Sequence, residues 1–314
     1  MSFAAQTKKE LTQVTAKPCC DRAELTAFVQ YGGRLNSDIE PPVLELATES
    51  AATARRMYTL LKAGAGHPLE VLVQRKMRLK KNNVYIVRMR HDPRRFLSDL
   101  GVWTEAGSIG GQIPSATVAK ACCKKAYMRG AFLASGSVND PDSHSYHLEL
   151  TNRTVEHATA LLSIMQAFRL HAKMIERKKG YIVYIKEGDK IIEFLGVIGA
   201  HKALLHFEEV RIVKGMRNQV NRLVNCETAN LNKTILAAVR QLENIRLLER
   251  EVGFGRLPPK LREVAEKRLQ HPDVTLQELC ALLSERVSKS GLNHRLRKLD
   301  DLAQKIRAER GIGD

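Results

Sequence analysis

The stretch RGAFLASGSV, Arg129–Val138, has the composition of a helix that is almost bare on one face. Gly130 and Ala134, spaced i and i+4, leave little side chain on that face, and the glycine-containing segment Ser135–Ser137 ends the helix. A similar stretch, AFVQYGGRL at Ala27–Leu35, lies roughly a hundred residues earlier. Because helices cross closely only where the facing positions are small, these two stretches predict a pair of helices packed at a symmetry axis.

An internal repeat surrounds the two helices. VLELATESAATARRMYTLLKAG (Val43–Gly64) matches HLELTNRTVEHATALLSIMQAF (His147–Phe168), and each segment predicts a strand followed by a helix. Alternating apolar residues then flank a turn in each copy, near Lys81–Asn83 and at Lys179-Gly180, which predicts two β-hairpins. Both copies close with a short helix that ends in Leu-Gly-Val. The sequence therefore predicts an α+β domain with pseudo-twofold symmetry, built from two repeats of αββαββα type.

The net charge gives the first indication of a partner. The chain has 51 Lys and Arg against 34 Asp and Glu, a formal net charge of +17. Residues 51–100 contain twelve basic and three acidic residues, a net charge of +9. Such an excess attracts polyanions, so we expect double-stranded DNA as the partner ahead of a membrane surface, and no membrane binding. The predicted phosphate contacts in this region are Arg75, Lys76, Arg78, Lys80, Lys81, Arg88 and Arg90.

Composition and cysteine usage predict a cytoplasmic protein. No apolar run is long enough to cross a bilayer, and the N-terminus MSFAAQTKKELTQV lacks the apolar segment of a signal peptide. The six cysteines occur as the pairs Cys19-Cys20 and Cys122-Cys123 and as the single residues Cys226 and Cys280. Neighbouring cysteines do not suit disulfide geometry and there is no Cys-x-x-Cys motif. We therefore interpret the cysteines as small buried hydrophobes in a reducing compartment, and expect no metal and no cofactor.

A long helical segment follows the repeats. Residues 216–252 contain neither Pro nor Gly and predict one or two helices with an apolar stripe formed by Leu223, Ile235, Val239, Leu242 and Ile245. Asn218, Asn221, Arg222 and Asn225 group on another face, which is either a phosphate-contacting surface or a solvated or domain-packing one. Of these, Asn218 and Arg222 are predicted DNA backbone contacts.

The clearest boundary in the chain is GFGRLPP at Gly253–Pro259. We predict a repeat domain at 1–215 with repeats at approximately 20–103 and 118–200. A helical linker at 216–256 and an all-α domain at 257–314 are predicted to follow.

The tail predicts three helices. The first covers KLREVAEKRLQ, the second opens at Thr275 with a capping box to Glu278, and the third lies in SKSGLNHRLRKLDDLAQKI. Two short helices joined by a tight turn, the second with a polar and basic N-terminal half, predict a helix-turn-helix. Arg and Lys can donate to guanine O6 and N7, and Asn can pair with adenine. The predicted DNA-binding residues are Ser288, Lys289, Ser290, Asn293, His294, Arg295, Arg297 and Lys298.

Taken together, these motifs resemble the WhiA family of bacterial sporulation and cell-division regulators. The resemblance rests on TKKELTQV, RGAFLASGSVNDP, HLEL, RNQVNRLVNCETANLNKT and VSKSGLNHRLRKLDDLA, which span the chain. It implies a LAGLIDADG homing-endonuclease-like domain fused to a helix-turn-helix similar to that of sigma factor region four, and a transcription regulator that binds promoter DNA. Other transcription regulators or RNA polymerase are further candidate partners, and the expected location is the cytoplasm, in association with the nucleoid.

LAGLIDADG nucleases place an acidic residue just before the glycine that ends each small-residue helix, and the two carboxylates hold divalent metal. Here the second helix has Ser135 before Gly136. The matching position in the first helix is Gly32 if Gly33 pairs with Gly136, or Tyr31 if Gly32 does. None of these residues carries the charge that a hard cation needs. The resemblance therefore predicts degenerate acid positions, no catalytic residues and no enzyme.

Two alternatives remain open. Asp140 and Asp142 lie just beyond the second helix, and they leave a residual metal-dependent DNA endonuclease as one alternative, although a solvated turn explains them as well. The other alternative makes the LAGLIDADG scaffold a protein-interaction or ligand-sensing module, with its basic strands serving only solubility.

Overall fold

The computed structural model of the protein describes residues 1–37, 40–75 and 83–310. The chain divides into two compact units, Met1–Gly215 and Met216–Asp314, which are described in turn. None of the helices in the described ranges combines the length and the apolar content that crossing a lipid bilayer requires.

The first unit contains two copies of one element order, as the sequence repeat predicts, preceded by a short helix α1 (Phe3–Leu11). The first copy comprises α2 (Pro18–Gly32), β1 (Gly33–Asn36), β2 (Val43–Thr48), α3 (Ala51–Ala65), β3 (Glu70–Arg75), β4 (Asn83–Met89) and α4 (Pro93–Asp99). The second comprises α5 (Ala121–Ser135), β5 (Gly136–Val138), β6 (Leu148–Asn152), α6 (Val155–Ala167), β7 (Lys173–Arg177), β8 (Gly180–Ile185) and α7 (Gly188–Ile198). The α+β class and the αββαββα order are confirmed.

Each copy forms one antiparallel sheet with the same topology. The strand orders are β1-β2-β4-β3 and β5-β6-β8-β7. Side chains alternate across a strand, so the leucines of each Leu-Glu-Leu segment are buried in the core while Glu45 and Glu149 point to the opposite face. We call this opposite face of each sheet its open face.

The second hairpin turns one residue earlier than the sequence analysis predicts. Arg177 pairs with Gly180, so the turn residues are Lys178 and Lys179, and Gly180 is the first residue of β8. Gly180 has a φ of +129°, and a Cβ at this position would collide with the carbonyl oxygen of Asn152. For the first hairpin, the predicted turn residues Lys81 and Asn82 lie outside the described residues.

The helices α2 and α5 pack against each other in the core of the first unit. A Cβ added to Gly130 would lie 2.6 Å from the carbonyl oxygen of Glu24 and 2.9 Å from the Cβ of Ala27. The two backbones therefore approach more closely than even an alanine at this position permits. The small-residue helix pair predicted from the sequence is confirmed.

A buried ion-pair cluster also joins α2 to its neighbours. The side chain of Glu24 is fully buried and accepts hydrogen bonds from the Nε atoms of Arg56 and Arg129, each at 2.8 Å. Arg56, on α3, also pairs with Asp21 at 3.0 Å, and Arg129 lies on α5. Buried charges are tolerated where they are paired and hydrogen-bonded, so this carboxylate fixes the positions of α3 and α5 relative to α2.

A single 51-residue helix, α8 (His201–Glu251), covers the segment predicted to form one or two helices and begins 15 residues before it. Its residues 216–236 are exposed on all sides, whereas Ile245, Leu247 and Leu248 are buried in the core of the second unit. The predicted apolar stripe is therefore packed only near its C-terminal end. Leu223, Ile235 and Val239 are exposed.

The second unit continues with a short 3-10 helix, Phe254–Arg256, followed by α9 (Pro259–Gln270), α10 (Leu276–Ala281) and α11 (Lys289–Arg310). The predicted capping box is present, because the Thr275 backbone N–H donates to Glu278 Oε2 at 2.8 Å and the Glu278 N–H donates to Thr275 Oγ1 at 3.3 Å. Leucines of α10 and α11 share one core, which fixes the two helices as a helix-turn-helix.

The close approach at Gly130 gives a first testable prediction. We expect Gly130→Ala to destabilise the first unit by about 1–3 kcal/mol, because overpacking outweighs the gain in helix propensity of about 1 kcal/mol. Gly215→Ala is the matched control, since Gly215 also lies within a helix but a Cβ there would have no neighbour within 4 Å. That control should raise stability by about 0.5–1 kcal/mol in urea unfolding followed by circular dichroism. Equal effects of the two substitutions would contradict the close approach.

Candidate nucleic-acid interface

The ends of α2 and α5 show which residues of the two helices correspond to each other. Both helices have 15 residues, and their C-caps are Gly33 and Gly136. Gly33 therefore pairs with Gly136, and Gly32 is the counterpart of Ser135. The hydroxyl of Ser135 donates to the carbonyl oxygen of Ala131 at 3.3 Å, a bond within its own helix turn. This pair of positions thus offers one weak hydroxyl ligand and no carboxylate.

Tyr31, the alternative acid position, points into the core. Its hydroxyl donates to Asn152 Oδ1 at 2.7 Å, and its ring lies 4.5 Å from the His157 ring. Burial raises the pKa of Tyr31 well above its ordinary value, so the phenol stays protonated. Tyr31 is a structural residue that ties α2 to the second sheet.

A buried hydrogen-bond chain lies beneath these positions. The amide nitrogen of Gln30 donates to the carbonyl oxygens of Gly110 and Gln112, which leaves Gln30 Oε1 to accept from the Tyr127 hydroxyl at 2.7 Å. Since that hydroxyl has only one hydrogen, the 2.7 Å contact between its oxygen and His157 Nε2 requires His157 to donate. Burial lowers the pKa of His157 to about 4, so the ring is neutral at pH 7 with its proton on Nε2.

The acidic residues beyond α5 belong to a closed turn. Asp140 Oδ1 accepts the backbone N–H of Asp142 at 3.0 Å. The same turn is tied to α8, because Lys214 Nζ donates to the carbonyl oxygens of Pro141 and Ser143 at 2.6 and 2.8 Å. The Asp140 carboxylate is thus hydrogen-bonded within a turn, as the solvated-turn interpretation of these two residues predicts.

Two predicted phosphate contacts lie in ion pairs on the open face of the first sheet. Arg88 Nε donates to Glu45 Oε1 at 2.9 Å, and Arg90 Nε donates to Glu70 Oε1 at 2.6 Å. The hydrogen bond from Arg90 lowers the pKa of Glu70 and so favours the charged carboxylate. Two glutamates therefore offset the two arginines. A phosphate would have to compete with carboxylates already in place.

The remaining predicted contacts of this sheet can be placed only in part. Arg75 is exposed at the end of β3, on the same side of the strand as Val73 and thus on the face opposite to Arg88. Lys76, Arg78, Lys80 and Lys81 lie outside the described residues.

The open face of the second sheet carries basic residues that the sequence analysis missed. Lys173 lies opposite Tyr184 across β7 and β8, and Lys186 Nζ lies 5.4 Å from the centre of the Tyr184 ring. His147 stacks on the same ring at 5.8 Å and contacts Glu149 Oε2 at 3.0 Å. The repeat itself gives the signal that could have found them, because β7 and β8 occupy the place of the basic hairpin in the first copy.

The N-terminal half of α11 presents the predicted DNA-binding residues on a packed helix-turn-helix. Leu292, Leu296 and Leu299 are buried in the core. The exposed residues are Ser288, Lys289, Ser290, His294, Arg297 and Lys298. Ser288 is the cap of the helix, because its hydroxyl oxygen accepts the Gly291 N–H at 3.2 Å.

Two of the predicted residues are less accessible. Arg295 Nη2 lies 3.3 Å from Glu285 Oε2, and its side chain is 16% exposed. Lys260 binds the same carboxylate at 3.0 Å, so Arg295 belongs to a contact that holds the turn before α11. Asn293 is half-buried and lines a groove of about 470 Å³ with residues of α8 and of the segment 272–276.

The polar group on α8 is exposed along its whole length. Asn218, Asn221, Arg222 and Asn225 all lie in the exposed stretch 216–236. Their side chains are thus accessible, which agrees with a phosphate-contacting surface and also with a solvated surface.

Comparison with known proteins gives one consistent result. Three family models match successive parts of the chain. The model described as WhiA N-terminal LAGLIDADG-like domain matches residues 18–103, and the one described as WhiA LAGLIDADG-like domain matches residues 124–217. The model described as WhiA C-terminal HTH domain matches residues 220–303. A protein of Anoxybacillus flavithermus named "Probable cell division protein WhiA" is 55% identical over 314 residues, which cover 99% of this chain and 97% of the relative.

Solved structures agree with the family models. The crystal structure of full-length DUF199/WhiA from Thermatoga maritima matches with a TM-score of 0.61 and 25% identity, covering 97% of this chain and 99% of the other. The N-terminal LAGLIDADG domain of DUF199/WhiA matches with a TM-score of 0.50 and 24% identity, covering 63% of this chain and 90% of the other, and supports the fold of the first unit.

The buried His157 predicts a pH dependence of stability. Its pKa is about 4 in the folded state against an ordinary value of 6.5, so as the pH falls below 6.5 the unfolded chain takes up the proton first. Stability is therefore present above pH 6.5 and declines towards pH 4, by up to about 3 kcal/mol.

His157→Gln retains a donor near the Nε2 position and should flatten this decline in urea unfolding measured between pH 7 and pH 4.5. The exposed His201 gives the control variant, His201→Gln, which should follow the parent protein. Parallel curves for the parent and His157→Gln would show that His157 does not titrate as its burial requires.

Proposed function

The chain belongs to the WhiA family, and on that premise we propose that it is a sequence-specific DNA-binding regulator of transcription. It acts in cell division or sporulation and reads promoter DNA through α11. The observation that carries the proposal is the exposed, basic N-terminal half of α11 on a packed helix-turn-helix. An α-helix of this kind fits the major groove, where base edges differ between all four base pairs.

The side chains of α11 divide into two roles. Ser290, His294 and Arg297 lie at i, i+4 and i+7 and so share one face of the helix, where Arg297 is the strongest candidate for a bidentate contact with guanine. Lys289 and Lys298 flank that face and are suited to phosphates. Arg295 positions α11 through Glu285 and supports the reading face from behind.

The repeat unit contributes phosphate contacts in this proposal. Its support is the group of exposed basic residues on the second sheet, Lys173 and Lys186, next to the aromatic ring of Tyr184. Contacts of this type strengthen binding without distinguishing sequences, and they weaken with salt. The alternative, a protein-interaction or ligand-sensing role for the repeat unit, requires no phosphate contact from these residues.

The proposal includes no strand cleavage. Gly32 and Ser135 carry no charge, and two-metal or one-metal hydrolysis of a phosphodiester needs anionic oxygens to hold the cation. The shape of the nuclease-like scaffold is then retained for binding. RNA polymerase or other transcription regulators would complete the complex at the promoter, in association with the nucleoid.

Removing Arg297 tests the reading face. We expect Arg297→Ala to reduce the ratio of specific to random-DNA affinity at least about fivefold, because one bidentate base contact contributes about 1–3 kcal/mol. The ratio is measured by fluorescence anisotropy on a genomic fragment that the full-length protein protects in a footprint. Arg262→Ala is the matched control, because Arg262 is an exposed arginine of the same unit that pairs with Glu266 on α9. An unchanged ratio in Arg297→Ala would defeat the assignment of α11.

Incubation with supercoiled plasmid and magnesium tests the absence of cleavage. We expect no nicking by the full-length protein at concentrations that shift the plasmid fully. The double variant Asp140→Asn, Asp142→Asn serves as the comparison. Nicking by the parent protein that this variant loses would establish the endonuclease alternative, whereas equal nicking by both indicates a contaminant.

A further inference from the structure

Four cysteines from the two repeats converge at the opposite end of α2 and α5. Cys19 and Cys20 are the second and third residues of α2, and Cys122 and Cys123 are the second and third residues of α5. Their four Sγ atoms all lie within 4.8 Å of one another, and no pair forms a disulfide. The pseudo-twofold symmetry that pairs Gly33 with Gly136 therefore also pairs Cys19 with Cys122 and Cys20 with Cys123.

The spacing of the sulfur atoms suits a tetrahedral metal site. Zn–S bonds of about 2.3 Å place the sulfurs of a tetrathiolate about 3.8 Å apart. The Sγ atoms of Cys122 and Cys123 are 3.9 Å apart, and the remaining separations need to contract by no more than about 1 Å. Rotation about χ1 of the two exposed or half-exposed cysteines, Cys19 and Cys122, is enough for such a change.

The beginnings of both helices place positive charge at this point. Both helices begin here without a capping side chain, since their N-cap residues, Lys17 and Lys120, make no side-chain hydrogen bond to the helix. The positive end of each helix dipole stabilises negative sulfur. The two N-cap lysines add positive charge next to a site that would carry a net charge of about −2 with zinc bound.

Access and enclosure are also consistent with an ion site. Cys20 and Cys123 are 6% and 4% exposed, so the inner half of the cluster is buried, while Cys122 is exposed. A cavity of about 280 Å³ next to the cluster has Cys19, Cys123, Arg22 and Lys120 among its lining residues.

We propose that Cys19, Cys20, Cys122 and Cys123 form a structural zinc site that joins the N-termini of α2 and α5. Four thiols bind one Zn²⁺ as thiolates, and up to four protons leave to solvent, with no change in oxidation state. All four coordination positions come from the protein, so the site has no open position for water and is structural. It lies at the far end of two 15-residue helices, about 20 Å from Gly32 and Ser135, and is separate from the degenerate acid positions.

This proposal departs from the expectation of no metal. That expectation considered the spacing of cysteines within one segment, where the Cys-x-x-Cys motif is absent. The cluster instead forms between two segments about 103 residues apart, each of which supplies an adjacent pair.

The full-length protein, purified from cells grown with added zinc, is the material for the test. We expect about one zinc ion per chain by elemental analysis, and four thiols that react with a thiol reagent only after a chelator is added. After zinc removal, titration with Co²⁺ should give the thiolate-to-metal charge-transfer band and the visible bands of tetrahedral cobalt, with release of protons.

Cys122→Ser is the informative variant, because Cys122 is exposed and its replacement leaves the core packing unchanged. We expect this variant to lose at least tenfold in Co²⁺ affinity and to bind less than one zinc ion. Cys226→Ser, which replaces an exposed cysteine on α8, is the control and should match the parent protein. Far-ultraviolet circular dichroism establishes that each variant is folded.

Three outcomes would overturn the site. The first is a parent protein with four freely reactive thiols and no cobalt spectrum, and the second is metal content that falls equally in Cys122→Ser and Cys226→Ser. The third is a parent protein purified under reducing conditions in which the same four cysteines are joined as disulfides by mass spectrometry.

Discussion

The close approach of α2 and α5 at Gly130 is the constraint on which the first unit depends. A Cβ added to Gly130 would lie 2.6 Å from the carbonyl oxygen of Glu24, so the helices can pack this closely only with glycine at that position. The first strand of each sheet begins at the C-cap of its helix, Gly33 for α2 and Gly136 for α5. The contact between the two helices therefore sets the separation and tilt of the sheets. Glu24 adds a directional restraint, because it holds Arg129 of α5 and Arg56 of α3 at 2.8 Å. Small residues allow the approach, and the buried carboxylate fixes its register.

The same helix pair explains why the acid positions can be neutral without loss of the fold. In a nuclease of this architecture, two carboxylates facing each other across the axis would repel unless a cation lay between them. Here Gly32 and Ser135 impose no such repulsion, and the space beneath them is filled by a hydrogen-bond chain from Gln30 through Tyr127 to His157. Every member of that chain is neutral at pH 7.

Periodicity and repetition in the sequence predict the fold well, but they predict contacts between the repeats poorly. The element order, the Leu-Glu-Leu strands and the capping box at Thr275 all follow from local patterns. The pairing of Gly32 with Ser135 stays open in the sequence, because the adjacent glycines Gly32 and Gly33 allow two alignments, and only the helix lengths decide. A count of basic residues does not reveal that Arg88 and Arg90 are paired with Glu45 and Glu70. The partners lie 43 and 20 residues apart in the sequence and meet only when the strands pair. The cysteine cluster cannot be predicted from local sequence patterns for the same reason, because its two cysteine pairs are about 103 residues apart.

The proposed function assigns the two units different parts in DNA binding, and the distribution of charge supports that assignment. On the open face of the first sheet, Arg88 and Arg90 are each paired with a glutamate, so a phosphate would have to compete there with carboxylates already in place. On α11, Lys289, Arg297 and Lys298 are exposed, and the neighbouring acidic residue Glu285 is already bound by Lys260 and Arg295. Discrimination between sequences requires donors held rigidly at base edges, and a helix anchored by three buried leucines provides that rigidity. In the proposed function, the net charge of +17 accounts for attraction to DNA in general, while the reading of a particular site depends on the few residues at the start of α11.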